Sequence, residues 1–461
     1  MTESQGPMAG RPTASTASAT AVPEPAWAQE IIDDLTRLVA VPSVGAQTEH
    51  ADDLARSASL VAELLSQAGC PEVQVLDDCS APAVLGHYPA PPGAPTVCLY
   101  AHHDVQPVDL ADWRTPPFQL TRVGERLYGR GAADDKGGLA AHLACLRRLG
   151  PNPPVGLTLF IEGEEEVGSP HVDQFLARYR EQLRSDVYVI ADADNWDVGH
   201  PALTTSLRGV CSVLVEVATL DHAVHSGQFG GVLPDALTTL CHLLASLHAP
   251  DGSVAVAGLE ARTSFAVDYP DDRFRAEAGL LPGVAYLGQG SLADRLWAGP
   301  AITVIALDAP SLEQASNTLL PRARALVSLR VPPGLKADQA LAQLTDHLQT
   351  HAPWGAQVQV TPTAAGDPAQ IALDGPFAQT ALAAWGEAFG QTPALIGQGG
   401  SIPLVNQLSS VYPEASLIVS AVGDPDSRMH GANESVHFGD LIRSVEAEVA
   451  FIRRLGAAAQ R

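Results

Sequence analysis

Residues 161–169 read IEGEEEVGS, and they follow directly on the apolar run VGLTLFI at 155–161. The run has the composition of a buried strand. It ends abruptly in three consecutive carboxylates, Glu164, Glu165 and Glu166, closed off by Gly168. Adjacent like charges repel and lose hydration when buried, so three at one strand end call for a compensating cation. In an open α/β sheet, ligands sit in the crevice at the carboxyl ends of the strands, where this cluster falls. Taken alone, the stretch reads equally well as a solvated acidic turn. The other strand ends decide between the two.

TVCLYA, 96–101, is apolar throughout and runs straight into His102, His103 and Asp104. On an extended segment His-x-Asp points both side chains to one face, so Asp104 is placed to orient His102. GRGAADDKGG, 129–138, delivers Asp134 and Asp135 to the start of a helix, a position that Asp also favours simply as an N-cap. The phosphate-loop spacing G-x-x-x-x-G-K-[ST] is absent from it. DVYVIADADNW puts Asp192 and Asp194 just past another buried run, and DSRMHGANE puts His430 in a polar loop after an apolar stretch at 416–421. Each signal is weak by itself, since a loop His is more often structural than a ligand. Together they bring two His and several carboxylates to strand ends of one sheet. That set suits zinc, cobalt or manganese. It is too large for one tetrahedral ion and right for two ions sharing a bridge. No thiolate belongs to it, which excludes a structural zinc site.

The rest of the chain is consistent with this reading. Its 461 residues suffice for two or three domains, and 46% hydrophobic residues describe a globular protein. A formal charge of −25 argues against nucleic acid and against an anionic membrane surface as partners. Six scattered cysteines without a C-x-x-C pair read as buried thiols in a reducing cytoplasm. Residues 1–26, rich in Ser, Thr, Ala and Pro, read as a disordered tail without the apolar segment of a signal peptide. From Ala28 helix and strand patterns alternate, which predicts a largely parallel sheet covered on both faces. Near Gly209 the pattern changes to strand–helix–strand–strand–helix–strand, and near residue 364 the first pattern returns. The expected architecture is therefore an α/β catalytic domain made of 27–208 and 364–461, interrupted by an inserted α+β, ferredoxin-like domain at 209–363.

HHDVQP, LYGRGAADDKGG, IEGEEEVGS, ADADNW with TTSLRG, HSGQFGG and HGANE follow one another along the chain. In that set and order the sequence resembles the M20 (carnosinase and aminoacylase-like) metallopeptidases, and within them the dipeptidase branch. The resemblance runs from about residue 28 to the C terminus. It implies a di-zinc aminopeptidase-like site with His102, Asp134, Glu166, Asp192 and His430 as metal ligands. Asp134 would bridge, His102 and Asp192 would complete one ion, and Glu166 and His430 the other. It further implies Glu165 as general base, Asp104 behind His102, and a cis peptide between Asp134 and Asp135. His225, in HSGQFGG, would reach the active site of a partner subunit, in a homodimer formed through the inserted domain. Asn317, Arg330, Gly400 and Ser401 would hold the substrate.

The sequence departs from the family pattern in two places. Ala101-His102-His103-Asp104 stands where Gly-His-Tyr-Asp is common, and HGANE where His-Ser-Pro-Asn-Glu is common. Asp194 is the alternative to Asp192 as ligand. The activity implied is hydrolysis of dipeptides or short peptides with a free C-terminal carboxylate, using two zinc ions, or cobalt or manganese. An N-acyl-amino-acid deacylase or desuccinylase of the same superfamily is the alternative. A non-catalytic metal- or peptide-binding protein is the third reading, and Glu165 argues against it, because binding alone needs no second glutamate beside a ligand.

Overall fold

The apolar runs become the middle of one sheet. Gly156–Glu162, Thr96–His102, Val187–Ile190 and Ser416–Val419 lie side by side in that order, each parallel to the next. Gly156–Glu162 and Val187–Ile190 are buried at every position. They have no polar face because helices cover both sides of the sheet. Along Thr96–His102, Val97, Leu99 and Ala101 pack into one core with the helices Ala28–Val39, Ala51–Gln67, Lys136–Leu149, Pro376–Phe389 and Phe438–Ala459. Cys98 and Tyr100 face the opposite core, formed with Val172–Arg178 and Pro403–Val411. Each fully buried Val, Leu or Phe contributes roughly 1.5–3 kcal/mol. These two cores, rather than the polar loops, fix where the strands end.

The computed structural model describes residues 24–45, 48–77, 81–400 and 402–460. Residues 1–23 of the expected tail and Ser401 lie outside the described residues. The sheet has nine strands. Ala83–Tyr88 and then Glu72–Leu76 extend it on one side, both antiparallel. Ala202–Leu207, antiparallel to Ser416–Val419, extends it on the other side with Ala394–Gln398 and Ala369–Gln370.

A second sheet carries the inserted pattern. Gly209–Ala218, helix Ala236–Ala245, Ala301–Asp308, Arg322–Val331, helix Ala337–Thr350 and Gln357–Gly366 follow in chain order. In space the strands run Ala301–Asp308, Arg322–Val331, Gly209–Ala218, Gln357–Gly366, all antiparallel, which is the ferredoxin-like arrangement the strand–helix order predicts. Alternate residues Cys211, Val213, Val215 and Val217 pack under the two helices against Leu240, Leu243, Leu344 and Leu348. The edge strand Ala301–Asp308 leaves Val304, Ile305 and Leu307 exposed.

The structure differs from the sequence reading in detail. The sequence over 170–183 predicts one helix, which the structure breaks at Tyr179 into Val172–Arg178 and Arg180–Leu183. The sequence over 251–300, interrupted by Gly, Pro and Asp, reads as irregular, yet it holds two short helices, Asp271–Ala278 and Leu292–Trp297. Aromatic contacts of Trp297 with Phe265 and Trp196 bind this stretch to Ala202 and Ile396 of the large sheet. No described helix is long and apolar enough to cross a membrane.

Candidate active site

The carboxyl ends of the parallel strands bring the polar motifs together, and the three glutamates take three different directions. Glu164 turns back. Its Oε1 accepts from the His171 backbone N–H at 2.7 Å and its Oε2 lies 2.8 Å from His171 Nδ1, at the start of helix Val172–Arg178. Glu165 is half-buried and lines a cavity of about 290 Å³. Glu166 Oε2 lies 3.1 Å from His430 Nε2 and accepts from Gln106 Nε2 at 2.8 Å.

Asp104 serves three neighbours. Its Oδ1 is 3.3 Å from His102 Nδ1, and its two oxygens accept the backbone N–H groups of Glu165 and Glu166 at 3.2 and 3.1 Å. Asp104 therefore orients the imidazole, through its backbone carbonyl at 3.1 Å as well as its carboxylate, and holds the glutamate turn. Gly45 is required behind it, because a Cβ there would stand 2.5 Å from Asp104 Oδ2.

Asp134 lies between the two imidazoles. Its Oδ1 is 3.0 Å from His102 Nε2, and its Oδ2 is 3.0 Å from His430 Nε2. The peptide between Asp134 and Asp135 is cis. Two groups of donor atoms result, each within 4.8 Å: His102, Asp135 and Asp192, and Asp134, Glu166 and His430. Asp194 is in neither group; its Oδ1 is packed against Gly423, where a Cβ would come within 2.5 Å.

The electrostatics of the cluster are those of a cation site. Burial pushes the Asp192 carboxyl up to about 7, with Asp134 and Glu166 adding to the shift and His102 opposing it. Burial likewise raises Glu165 well above the carboxylate range, reinforced by Asp192, Asp134 and Glu166. Burial disfavours the charged form of His102, but Asp104, Asp134 and Asp192 outweigh it and raise its pKa. His430, with 60% of its side chain exposed, is pushed up to about 10 by its bonds to Asp134 and Glu166. Four acidic groups thus face two imidazoles at short range, and only positive charge relieves them. Oxygen and imidazole donors without thiolate, with Asp134 standing between the two imidazoles, fit a pair of borderline divalent ions.

The cavity beside the cluster is also lined by Leu207, Gln398 and Gly400. His225, Asn317 and Arg330 do not line it. His225 is exposed at the short strand pair Val224–His225 and Thr318–Leu319, directly opposite Thr318. The Asn317 carbonyl accepts the next backbone N–H, that of Ser226, at 2.9 Å. The structure thus brings His225 and Asn317 together, and neither lines the cavity beside the metal-ligand candidates. Arg330 lies in Arg322–Val331, paired with Val210.

Four residues of the site carry no role in the sequence reading: Gly45, Gln106, Asp135 and Glu434. Glu434 is fully buried and accepts Arg130 Nη1 at 2.6 Å, Gly131 N at 3.0 Å, Ala133 N at 2.9 Å and Asp134 N at 3.1 Å. Arg130 in turn donates to the His430 carbonyl at 3.3 Å. The signal for Glu434 is the end of HGANE, an acidic residue four positions after His430.

Known proteins resemble the chain over most of its length. The chain is 34% identical over 438 residues to a cysteinylglycine-S-conjugate dipeptidase of Corynebacterium striatum, covering 93% of this chain and 96% of that protein. It is 28% identical over 390 residues to the human beta-Ala-His dipeptidase, covering 80% and 76% of the two chains. The crystal structure of human carnosine dipeptidase 1 superposes with a TM-score of 0.76 at 26% identity, covering 94% of this chain and 97% of that one. A sequence model of the peptidase family M20/M25/M40 matches residues 98–454. This chain therefore belongs to the peptidase family M20/M25/M40.

Proposed function

We propose that this protein is a metal-dependent dipeptidase that cleaves the amide bond of dipeptides or short peptides bearing a free C-terminal carboxylate. The observation that carries the reading is Asp134, with one carboxylate oxygen 3.0 Å from each of His102 and His430. His102, Asp134 and Asp192 would hold one divalent ion, and Asp134, Glu166 and His430 the other. Zinc suits this donor set, and so do cobalt and manganese. The relatives named above are dipeptidases, which favours peptides over the N-acyl amino acids of a deacylase or desuccinylase.

Bound divalent ions supply Lewis acidity, making a water acidic at neutral pH and polarising the scissile carbonyl. Glu165 takes the proton of the attacking water and returns it to the leaving amine as the C–N bond breaks. It is suited to this by position: it lines the cavity beside Asp134, Asp192 and His430. Asp104 holds His102 and the turn that carries Glu165. Asn317, Arg330, Gly400 and Ser401 receive the substrate and its carboxylate.

We read the chain as a cytoplasmic homodimer, with a tail at 1–26, a catalytic domain at 27–208 plus 364–461 and an inserted dimerisation domain at 209–363. Two observations support the dimer. His225 is exposed and stands off the walls of the cavity, so in this reading it serves the other subunit, stabilising the oxyanion there. The apolar edge of Val304, Ile305 and Leu307 is a surface that self-pairing would cover.

Hydrolysis of a dipeptide panel, compared with N-acetyl and N-succinyl amino acids and with metal content measured, tests the function. The expected result is dipeptide cleavage that is abolished by chelation and restored by zinc, cobalt or manganese. Preference for the acyl amino acids, or full activity without metal, would contradict it.

A further inference from the structure

The loop that carries His430 serves two cavities. Ser427 and Ser435 close it, the Ser435 backbone N–H donating to the Ser427 carbonyl at 2.9 Å. Within it Arg428, His430 and Asn433 hold left-handed backbone, with φ of 56°, 62° and 62°. Residues with a side chain adopt that conformation only where the surroundings impose it. Met429 and His430 line the cavity beside the metal-ligand candidates. Arg428 and Asn433 line a second cavity, of about 370 Å³, which shares no lining residue with the first.

Three guanidiniums line the second cavity. Arg126 is already engaged and ties the ends of the loop together: Nε donates to Ser435 Oγ at 2.7 Å, Nη1 to Asp424 Oδ1 at 3.0 Å and Nη2 to Ser427 Oγ at 3.2 Å. Arg114 and Arg428 are exposed, and neither guanidinium has a hydrogen bond, ion pair or ring contact among the described residues. The Thr115 hydroxyl, on the same wall, is buried without a hydrogen-bond partner. Asp426 is the one carboxylate among the lining residues, and it is exposed. Two free guanidiniums and a free hydroxyl donor against one carboxylate leave the cavity short of negative charge, in a chain of formal charge −25. Arginine cannot shed its charge at neutral pH, and its planar fork of N–H donors matches the oxygens of a phosphate. Val123 and Tyr128 complete the wall with an apolar surface.

We infer that this second cavity binds a small tetrahedral dianion, a phosphate or a phosphomonoester, through Arg114, Arg428 and Thr115, and that the bound anion holds the His430 loop in place. The two arginines belong to segments that already meet: the Arg114 backbone N–H donates to Asn433 Oδ1 at 2.7 Å, and Asn433 Nδ2 donates to the Asp112 carbonyl at 3.0 Å. An anion shared by both guanidiniums adds a second tie between the same segments, two residues from His430. Metal held by His430 and anion held by Arg428 then favour the same loop conformation, so each strengthens the other. The site itself is independent of the dipeptidase reading; only the link to metal retention rests on His430 as a ligand.

The test titrates sulfate, a bare tetrahedral dianion, and phenyl phosphate into the metal-loaded enzyme at constant ionic strength, with binding read by calorimetry. Arg114→Gln and Arg428→Gln should each weaken binding by about tenfold or more, as for loss of a hydrogen bond to a charged group. Asp426→Asn, which removes the one opposing charge, should tighten it. Tighter binding of phenyl phosphate than of sulfate assigns the site to a phosphomonoester packed on Val123 and Tyr128, and equal binding assigns it to the free ion. No saturable binding, or binding that both arginine variants keep at wild-type strength, as for an ion seated on the metals, overturns the site. Metal analysis after dialysis tests the link: sulfate should slow the loss of metal from wild type and leave Arg114→Gln unaffected. Sulfate that binds in the cavity yet changes retention in neither protein overturns the link to His430 and leaves the dipeptidase reading standing.

Discussion

Glu434→Gln is the substitution that most sharply separates support of the site from chemistry in it. The carboxylate accepts four donors, two at each oxygen: Arg130 and Gly131 at Oε2, Ala133 and Asp134 at Oε1. A glutamine of the same shape keeps one acceptor and turns its NH₂ against two of these donors. Arg130, fully buried, also loses its counter-charge. Breaking a buried ion pair from one side costs about 3–5 kcal/mol, because the remaining charge is left uncompensated. The damage is directed. The pair holds the backbone N–H of Asp134 and, through Arg130, the carbonyl of His430, so both sides of the second metal group move. The expected outcome is a lower melting temperature together with at least tenfold weaker metal retention, measured by calorimetry and by metal analysis after dialysis. A Glu434→Gln protein that melts like wild type and retains both ions would refute this account of the network.

Two further outcomes follow from the geometry. Asp192 is raised to about 7 in the fold against an unfolded value near 4. Between those values the folded state holds a proton that the unfolded state has lost, so the metal-free protein loses stability as pH rises through that window. A divalent ion takes only deprotonated ligands, so the melting-temperature gain on metal loading should be larger at pH 8 than at pH 5, and a gain that shrinks would contradict this. Mixing inactive His225→Ala and Glu165→Gln subunits under exchange should restore about a quarter of wild-type activity, since half the dimers are mixed and each has one intact site. No recovery, with exchange confirmed, would mean that His225 does not serve a neighbour.

The sequence made the sheet legible because its middle strands are buried on both faces. Continuous apolar runs such as VGLTLFI and DVYVIA need no partner to be recognised. Ala202–Leu207 was hidden, because ALTTSL is half polar and gains its burial only from neighbours far along the chain. His102 and Asp192 were legible for the same reason as the strands, each standing one residue past an apolar run. What local sequence does not carry is direction. Three adjacent glutamates look alike on the page, yet Glu164 caps a helix, Glu165 faces the cavity and Glu166 meets His430. Asp104 and Glu434 act through contacts 61 and 300 residues distant in sequence, and no periodicity reports these. The aromatic clasp on Trp196 was likewise hidden, because its partners Phe265 and Trp297 lie in a stretch broken by Gly, Pro and Asp.

The most direct test of the central claim compares Glu165→Gln with Glu166→Gln, measuring dipeptide turnover and bound metal in the same preparations. The account predicts that Glu165→Gln keeps both ions and loses roughly 10²–10⁴-fold in kcat, as for removal of a general base. Glu166→Gln should lose metal affinity first, since its carboxylate is 3.1 Å from His430 at the second group. If Glu165→Gln instead shed metal while Glu166→Gln kept both ions and lost turnover, the assignment of base and ligand, and the account of catalysis built on it, would be wrong.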